Sequence, residues 1–257
     1  MSLSPLVALR GALQPIPLAL RRVRVLVAGA TGATGEAMLV QLAASQRVAQ
    51  VGVVLQRAVT MAIRHVHGVV VDPAGTQPWP RPPASEGVIL FDPPRLFHGR
   101  EKALLTVRPQ QLTDIARWMR DCGVTRLLVV LPHDPGRLPQ ALRRGLASLD
   151  EQAVVSMGFD TVIFVRSAGE VPRPRAGHPL QRLAFAMLGV LHHLIPARQK
   201  PVSAERVARF AADLLAQAPA GLHVIAPEQV WDAAQGEPED AMSRWLQRVA
   251  PTPDNPA

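Results

Sequence analysis

Glycines recur at every third position in Gly29-Ala30-Thr31-Gly32-Ala33-Thr34-Gly35, directly after the β-branched run Val23-Arg24-Val25-Leu26-Val27-Ala28. A turn without side chains at those positions brings backbone N–H groups close to an anion. Leu39, Leu42 and Ala43 then fall at helical spacing, so a helix beginning near Ala33 directs its positive end at the same anion. Strand, glycine turn, helix and second strand, in that order, are the setting in which such a turn cradles the diphosphate of a dinucleotide. Gly29, Thr31, Gly32, Ala33, Thr34 and Gly35 are therefore the candidate cofactor-binding residues. Glycine triplets also serve close packing of helix on strand, and that simpler reading stands beside the first.

Two further residues bear on which dinucleotide. The second strand ends Val54-Leu55-Gln56-Arg57, and no Asp or Glu lies between Glu36 and Asp72. An acid there would hold the ribose hydroxyls of NAD(H), whereas an arginine accommodates the 2′-phosphate of NADP(H). Arg57 thus favours NADP(H), with NAD(H) still admissible, unless Arg57 is only solvated surface. Asp72 ends the third strand and either accepts from the adenine amino group or caps the turn that follows it. His133 and Asp134 follow the fifth strand, where His133 could act as a general acid or base, or else belong to a plain His-Asp-Pro-Gly turn. His65 with His67, and His192 with His193, lack the further ligands a metal site needs.

The elements that would position these residues alternate strand and helix. Strands are expected at 23–28, 48–55, 66–71, 88–91, 124–131, 159–165 and 222–225, with 124–131 central as the longest apolar run. Helices are expected after Gly35 and over 111–122, 138–157, 180–194, from Ser203, and from about Glu239 to Val249. Five prolines between Asp72 and Gly87 exclude a regular helix from that crossover. The pattern predicts an α/β fold: a doubly wound parallel sheet of about seven strands. An irregular arm over 1–20, a main domain over 21–250, a small cap around 167–201 and a disordered tail over 251–257 complete the expected organisation.

With 257 residues, 48% apolar and 19% charged, the chain can bury one substantial core. No apolar run reaches the roughly 18 residues of a membrane span, so a soluble chain without a membrane partner is expected. The formal charge of +8 is spread thinly, in small groups such as Arg143-Arg144 and Arg173 with Arg175, and aromatics amount to 4%. Neither a basic face nor stacking platforms result, which argues against nucleic acid. Arg166, Arg173 and Arg175 leave room for a small acidic or phosphorylated ligand. The single cysteine, Cys122, excludes an internal disulfide and a thiolate metal cluster and points to the reducing cytoplasm. Residues 1–20 hold prolines at 5, 15 and 17 and lack the charged lead of an export signal.

Taken together, 25–35, Val70-Val71-Asp72, the stretch Ile115 to Val130, Gly158 to Arg166 and Pro201 to Ala208 resemble the short-chain dehydrogenase/reductase superfamily. Within it the chain is most similar to the atypical NmrA-like NAD(P)H-binding branch, over roughly 22–230. The resemblance implies a Rossmann fold and a dinucleotide cofactor. Catalytic members use a tyrosine, a lysine and a serine. This chain has no tyrosine, reads Leu131-Pro132 where the serine belongs, and carries Arg143 and Arg144 in place of the lysine. Arginine stays protonated near neutral pH and cannot relay a proton. Two functions follow: a cofactor-binding regulator that reports to a protein partner, or a reductase or epimerase-like enzyme acting on a carbonyl ligand with His133 as substitute proton donor.

Overall fold

The computed structural model describes residues 22–92, 101–133, 148–168, 202–235 and 238–249. Seven strands lie in one open, all-parallel sheet: β1 (Val23–Ala28), β2 (Val48–Leu55), β3 (Val66–Val70), β4 (Glu86–Leu90), β5 (Arg126–His133), β6 (Thr161–Ala168) and β7 (Gly221–Ile225). Their order is β3-β2-β1-β4-β5-β6-β7. Successive side chains on each strand enter opposite cores. Val25, Val27, Val88, Leu90, Leu128 and Val130 feed one core, shared with α1 (Ala33–Ala44), α4 (Ala204–Gln217), α5 (Pro227–Gln235) and α6 (Pro238–Val249). Leu26, Ala28, Ile89, Leu127 and Val129 feed the other, under α2 (Leu112–Asp121) and α3 (Leu149–Val155). Interior strands covered on both faces explain the unbroken apolar runs. No helix among the described residues is long and apolar enough to cross a membrane.

Several boundaries depart from expectation for local reasons. The chain leaves α2 through a Schellman closure: the Gly123 amide donates to the Arg120 carbonyl at 3.0 Å and the Val124 amide to Met119 at 3.1 Å, with Gly123 at φ +92°. Val124 is spent on that closure and Thr125, whose amide donates to the Ser85 carbonyl at 3.0 Å, leads into β5, which starts two residues late, at Arg126. The Arg126 guanidinium then satisfies the last carbonyls behind α4, donating to Leu215 at 3.1 Å and Ala218 at 2.8 Å. β4 is the middle strand, with β5 interior beside it; the apolar run of β4 is the shorter because Glu86 and Gly87 open the strand. Pro132 is tolerated in β5 since the strand there has passed its last β4 partner, Leu90↔Val130.

In α1 the buried stripe is Gly35, Met38 and Leu42; Leu39 and Ala43 are only half-buried. α5 went unforeseen, yet Pro227 at its first position and Gln229, whose side-chain oxygen accepts from the Ala226 amide at 2.8 Å, mark its start. Ser203 stands at the N-cap of α4 without a capping side-chain bond. The crossover between β3 and β4 is a proline-rich cover, as expected, with Trp79 edge-on to Trp118 at 5.3 Å. Two 3-10 turns, Glu101–Ala103 and Pro109–Gln111, precede α2. Of the helix expected over 138–157 only α3 is described, and the expected arm, tail, most of the cap and its 180–194 helix lie outside the described residues.

Cys122 is buried behind α2, and desolvation, with a smaller contribution from the Asp121 carboxylate, pushes its thiol up to about 11. At pH 8 the thiolate fraction is then on the order of 10⁻³, against about a quarter for a free thiol of pKa near 8.5. Alkylation of the native protein at pH 8 should therefore run at least ~100-fold slower than in denaturant. Comparable rates in the two conditions would contradict a packed, inert thiol.

Candidate functional site

The strand order reverses between β1 and β4, and in open parallel sheets ligands gather outside the carboxyl ends of the strands at that point. The glycine turn leaves β1 there. Gly29 holds φ +81°, a conformation that opposes any β-carbon, and a β-carbon would lie 1.9 Å from the Leu90 carbonyl oxygen. At Gly35 a β-carbon would lie 2.4 Å from the Ala30 Cα, so the glycine lets α1 sit against the turn. Gly32 is the N-cap of α1 with extended backbone and no side chain to cap with. The amides of Ala33 and Thr34, in the first turn of α1, have no intrahelical acceptor. A helix end of this kind suits a diphosphate in chemistry.

Two residues of the turn face inward. The Thr31 hydroxyl, buried, donates to the Asp92 carbonyl at 2.7 Å, and the Thr31 amide donates to Gly29 at 2.8 Å. The Gly35 amide donates to the Asp92 carboxylate at 2.9 Å. Asp92 was not singled out by the sequence. It stands just beyond β4, and only the adjacency of β1 and β4 brings it to the turn.

At the end of β2 the Arg57 guanidinium is exposed and donates to the Lys102 carbonyl at 3.3 Å. Gln56 joins the same carbonyl at 2.6 Å, and an antiparallel bridge between Leu55 and Leu104 holds that segment in place. Lys102, also exposed, is thus a second cationic residue near the same strand end, one the sequence reading passed over. Asp72 is committed to its own turn: its carboxylate accepts from the amides of Ala74 at 2.9 Å, Thr76 at 2.8 Å and Gln77 at 3.2 Å, and from the Thr76 hydroxyl. The Thr76 hydroxyl first, then the Ala74 amide, hold the Asp72 carboxyl below the usual carboxylate range. Of the two readings of Asp72, the cap is the one the geometry displays.

His133 closes β5 at its carboxyl end, level with Ala168 of β6, and so sits on the ligand edge of the sheet. Arg166 does not line a cleft. It is 1% exposed, and its guanidinium meets the Glu151 carboxylate of α3 at 2.8 Å, which removes it from the ligand-binding arginines considered above. Arg173 and Arg175, like Asp134, lie outside the described residues. His65 precedes β3 at φ +65° and is exposed, while His67 is half-buried in that strand. Among the described residues no three His, Cys, Asp or Glu side chains group as metal ligands.

No family model matches the chain, and no curated protein matches it in sequence. Solved structures similar to it include a Rossmann-fold NAD(P)-binding family protein from Shigella flexneri, at 15% identity and TM-score 0.44, covering 76% of this chain and 87% of that one. A mutated uronate dehydrogenase shares 15% identity at TM-score 0.47, over 91% and 89% of the two chains. A glucuronic acid dehydrogenase from Chromohalobacter salexigens shares 13% at TM-score 0.45, over 91% and 92%. By its own strand order, and by the place of the glycine turn at the point of reversal, this chain has a Rossmann fold.

Proposed function

We propose that the chain binds a nicotinamide dinucleotide, NADP(H) in preference to NAD(H), and serves as a cofactor-binding regulator rather than a dehydrogenase of the tyrosine-dependent kind. The observation that carries the reading is the turn after β1, where Gly29 is held at φ +81° against the Leu90 carbonyl and delivers α1 end-on to the ligand edge. Arg57, with Lys102 beside it, supports the 2′-phosphate, and no carboxylate follows β2 to hold a ribose. Absence of any tyrosine from the sequence supports the regulatory role. A protein partner to which the chain reports cofactor state, in the cytoplasm, completes the proposal.

NADPH should raise the melting temperature more than NADH does. At about 100 times its Kd a ligand adds roughly 2.7 kcal/mol, several degrees for a chain of this size. Arg57→Ala should erase the difference between the two cofactors while leaving the smaller shift intact. Equal shifts in the wild type, or a preference that survives the substitution, would remove the 2′-phosphate assignment.

The second reading, an oxidoreductase with His133 as proton donor, draws on the place of His133 at the carboxyl end of β5. Turnover of NADPH with a panel of aldehydes, ketones and quinones, lost in His133→Ala, would favour it; saturable binding without turnover favours the regulator.

A further inference from the structure

An isolated helix N-terminus is an invitation to any anion, and in this chain one is already seated. The Asp92 carboxylate accepts the third first-turn amide of α1, that of Gly35, at 2.9 Å. A β-carbon on Gly32 would fall 2.5 Å from the Asp92 carboxyl carbon, so the carboxylate fills the space the absent side chain leaves over the helix end. The anchoring is double, since the Thr31 hydroxyl donates to the Asp92 carbonyl at 2.7 Å. Asp92 also precedes Pro93, and a following proline confines its backbone toward the extended region. The contact spans 57 residues of sequence and joins β4 to the turn after β1, at the very edge where the diphosphate would arrive.

We infer that Asp92 is a built-in anionic occupant of the cofactor cradle, a carboxylate that competes with the diphosphate for the positive end of α1 and so sets the affinity for dinucleotide. This rests on the dinucleotide reading above and adds its regulation. The physical cause is twofold. The carboxylate already complements the partial charge of the helix end, which lowers what an incoming phosphate gains. Two like charges at one helix end also repel each other. A neutral side chain of the same shape removes both effects and keeps the cap, because an amide oxygen accepts from the Gly35 amide as well as a carboxylate oxygen does.

The test compares wild type with Asp92→Asn by calorimetry, using NADPH and, separately, inorganic pyrophosphate. Expected is tighter binding to Asp92→Asn by about tenfold at low salt, the scale of one partly screened like-charge repulsion, with the ratio shrinking as salt is raised. A role confined to capping would leave the salt dependence of the two proteins alike. Asp92→Ser, shorter and neutral, serves as a second variant and should shift affinity in the same direction. NADPH binding that is equal or weaker in both variants would overturn the inference and leave the dinucleotide reading standing. If neither protein binds any adenine dinucleotide but pyrophosphate binds Asp92→Asn more tightly, the dinucleotide reading fails and the occupant survives. No binding of either probe to any of the three proteins overturns both.

Discussion

Gly29→Ala should lose about 3–5 kcal/mol of stability together with measurable dinucleotide binding. Two costs add. An alanine held at φ +81° pays about 1–2 kcal/mol in backbone strain. Its β-carbon would also sit 1.9 Å from the Leu90 carbonyl oxygen, a main-chain atom next to the paired β1–β4 register of Ala28 with Ile89. Relief requires the two strands to part or the turn to move, and movement of the turn redirects α1. Gly75→Ala is the matched control, because Gly75 holds φ +74° with nothing within 4 Å of an added β-carbon. It should cost only the strain, about 1–2 kcal/mol. Urea denaturation of the two variants measures the difference. Midpoints that coincide would mean that the close approach to Leu90 carries no energy and that the turn is not held as described.

The second large effect concerns Arg166 and Glu151, whose side chains are 2% and 6% exposed and meet at 2.8 Å. Removing one member of a buried pair takes from the other charge its partner at 2.8 Å, at a cost of about 3–5 kcal/mol, so Arg166→Met and Glu151→Leu should each lower the melting temperature by roughly 10 °C. The double replacement should recover most of that loss, since apolar groups of similar volume often substitute for a buried pair without penalty. The Ser148 hydroxyl, which accepts from the Glu151 amide at 3.2 Å, keeps the start of α3 capped in every variant. Thermal unfolding of the four proteins closes the cycle. Strictly additive losses would show that the two side chains do not act as a unit. Dinucleotide affinity should follow stability and nothing else, because the Arg166 guanidinium is spent inside the protein.

These two sites show what the sequence could and could not disclose. The limits of β1 and β2 were legible to the residue, because a strand covered on both faces writes itself as an apolar run ended by glycine or polar residues. The glycine turn was legible because its requirements are local. Arg166 was misjudged because an arginine at the end of a strand reads the same whether it meets solvent or a carboxylate. Its partner lies in a helix whose start, Ser148-Leu149-Asp150-Glu151, falls inside the longer helix expected over 138–157 and so did not stand out. Asp92 and Lys102 were invisible for a different reason. Each gains its meaning from a neighbour in space: the turn after β1, which strand order brings to Asp92, and the end of β2, which the Leu55–Leu104 bridge brings to Lys102. Asp72 was left between two readings, and the turn it caps became visible only through four donors within five residues.

The cover between β3 and β4 has a consequence of its own. Pro73, Pro78, Pro80, Pro82 and Pro83 carry no N–H, so at those positions this layer has no donor to satisfy. Its carbonyls are met from indole rings, Trp118 donating to Pro80 at 2.8 Å and Trp79 to Asp72 at 2.8 Å. The same prolines deny the denatured chain much of its freedom, so ordering this stretch forfeits less disorder than an equal length of ordinary loop. In a hydrogen-exchange experiment the five proline positions would give no signal, and the Ala74, Thr76 and Gln77 amides held by the Asp72 carboxylate would report on the whole flank.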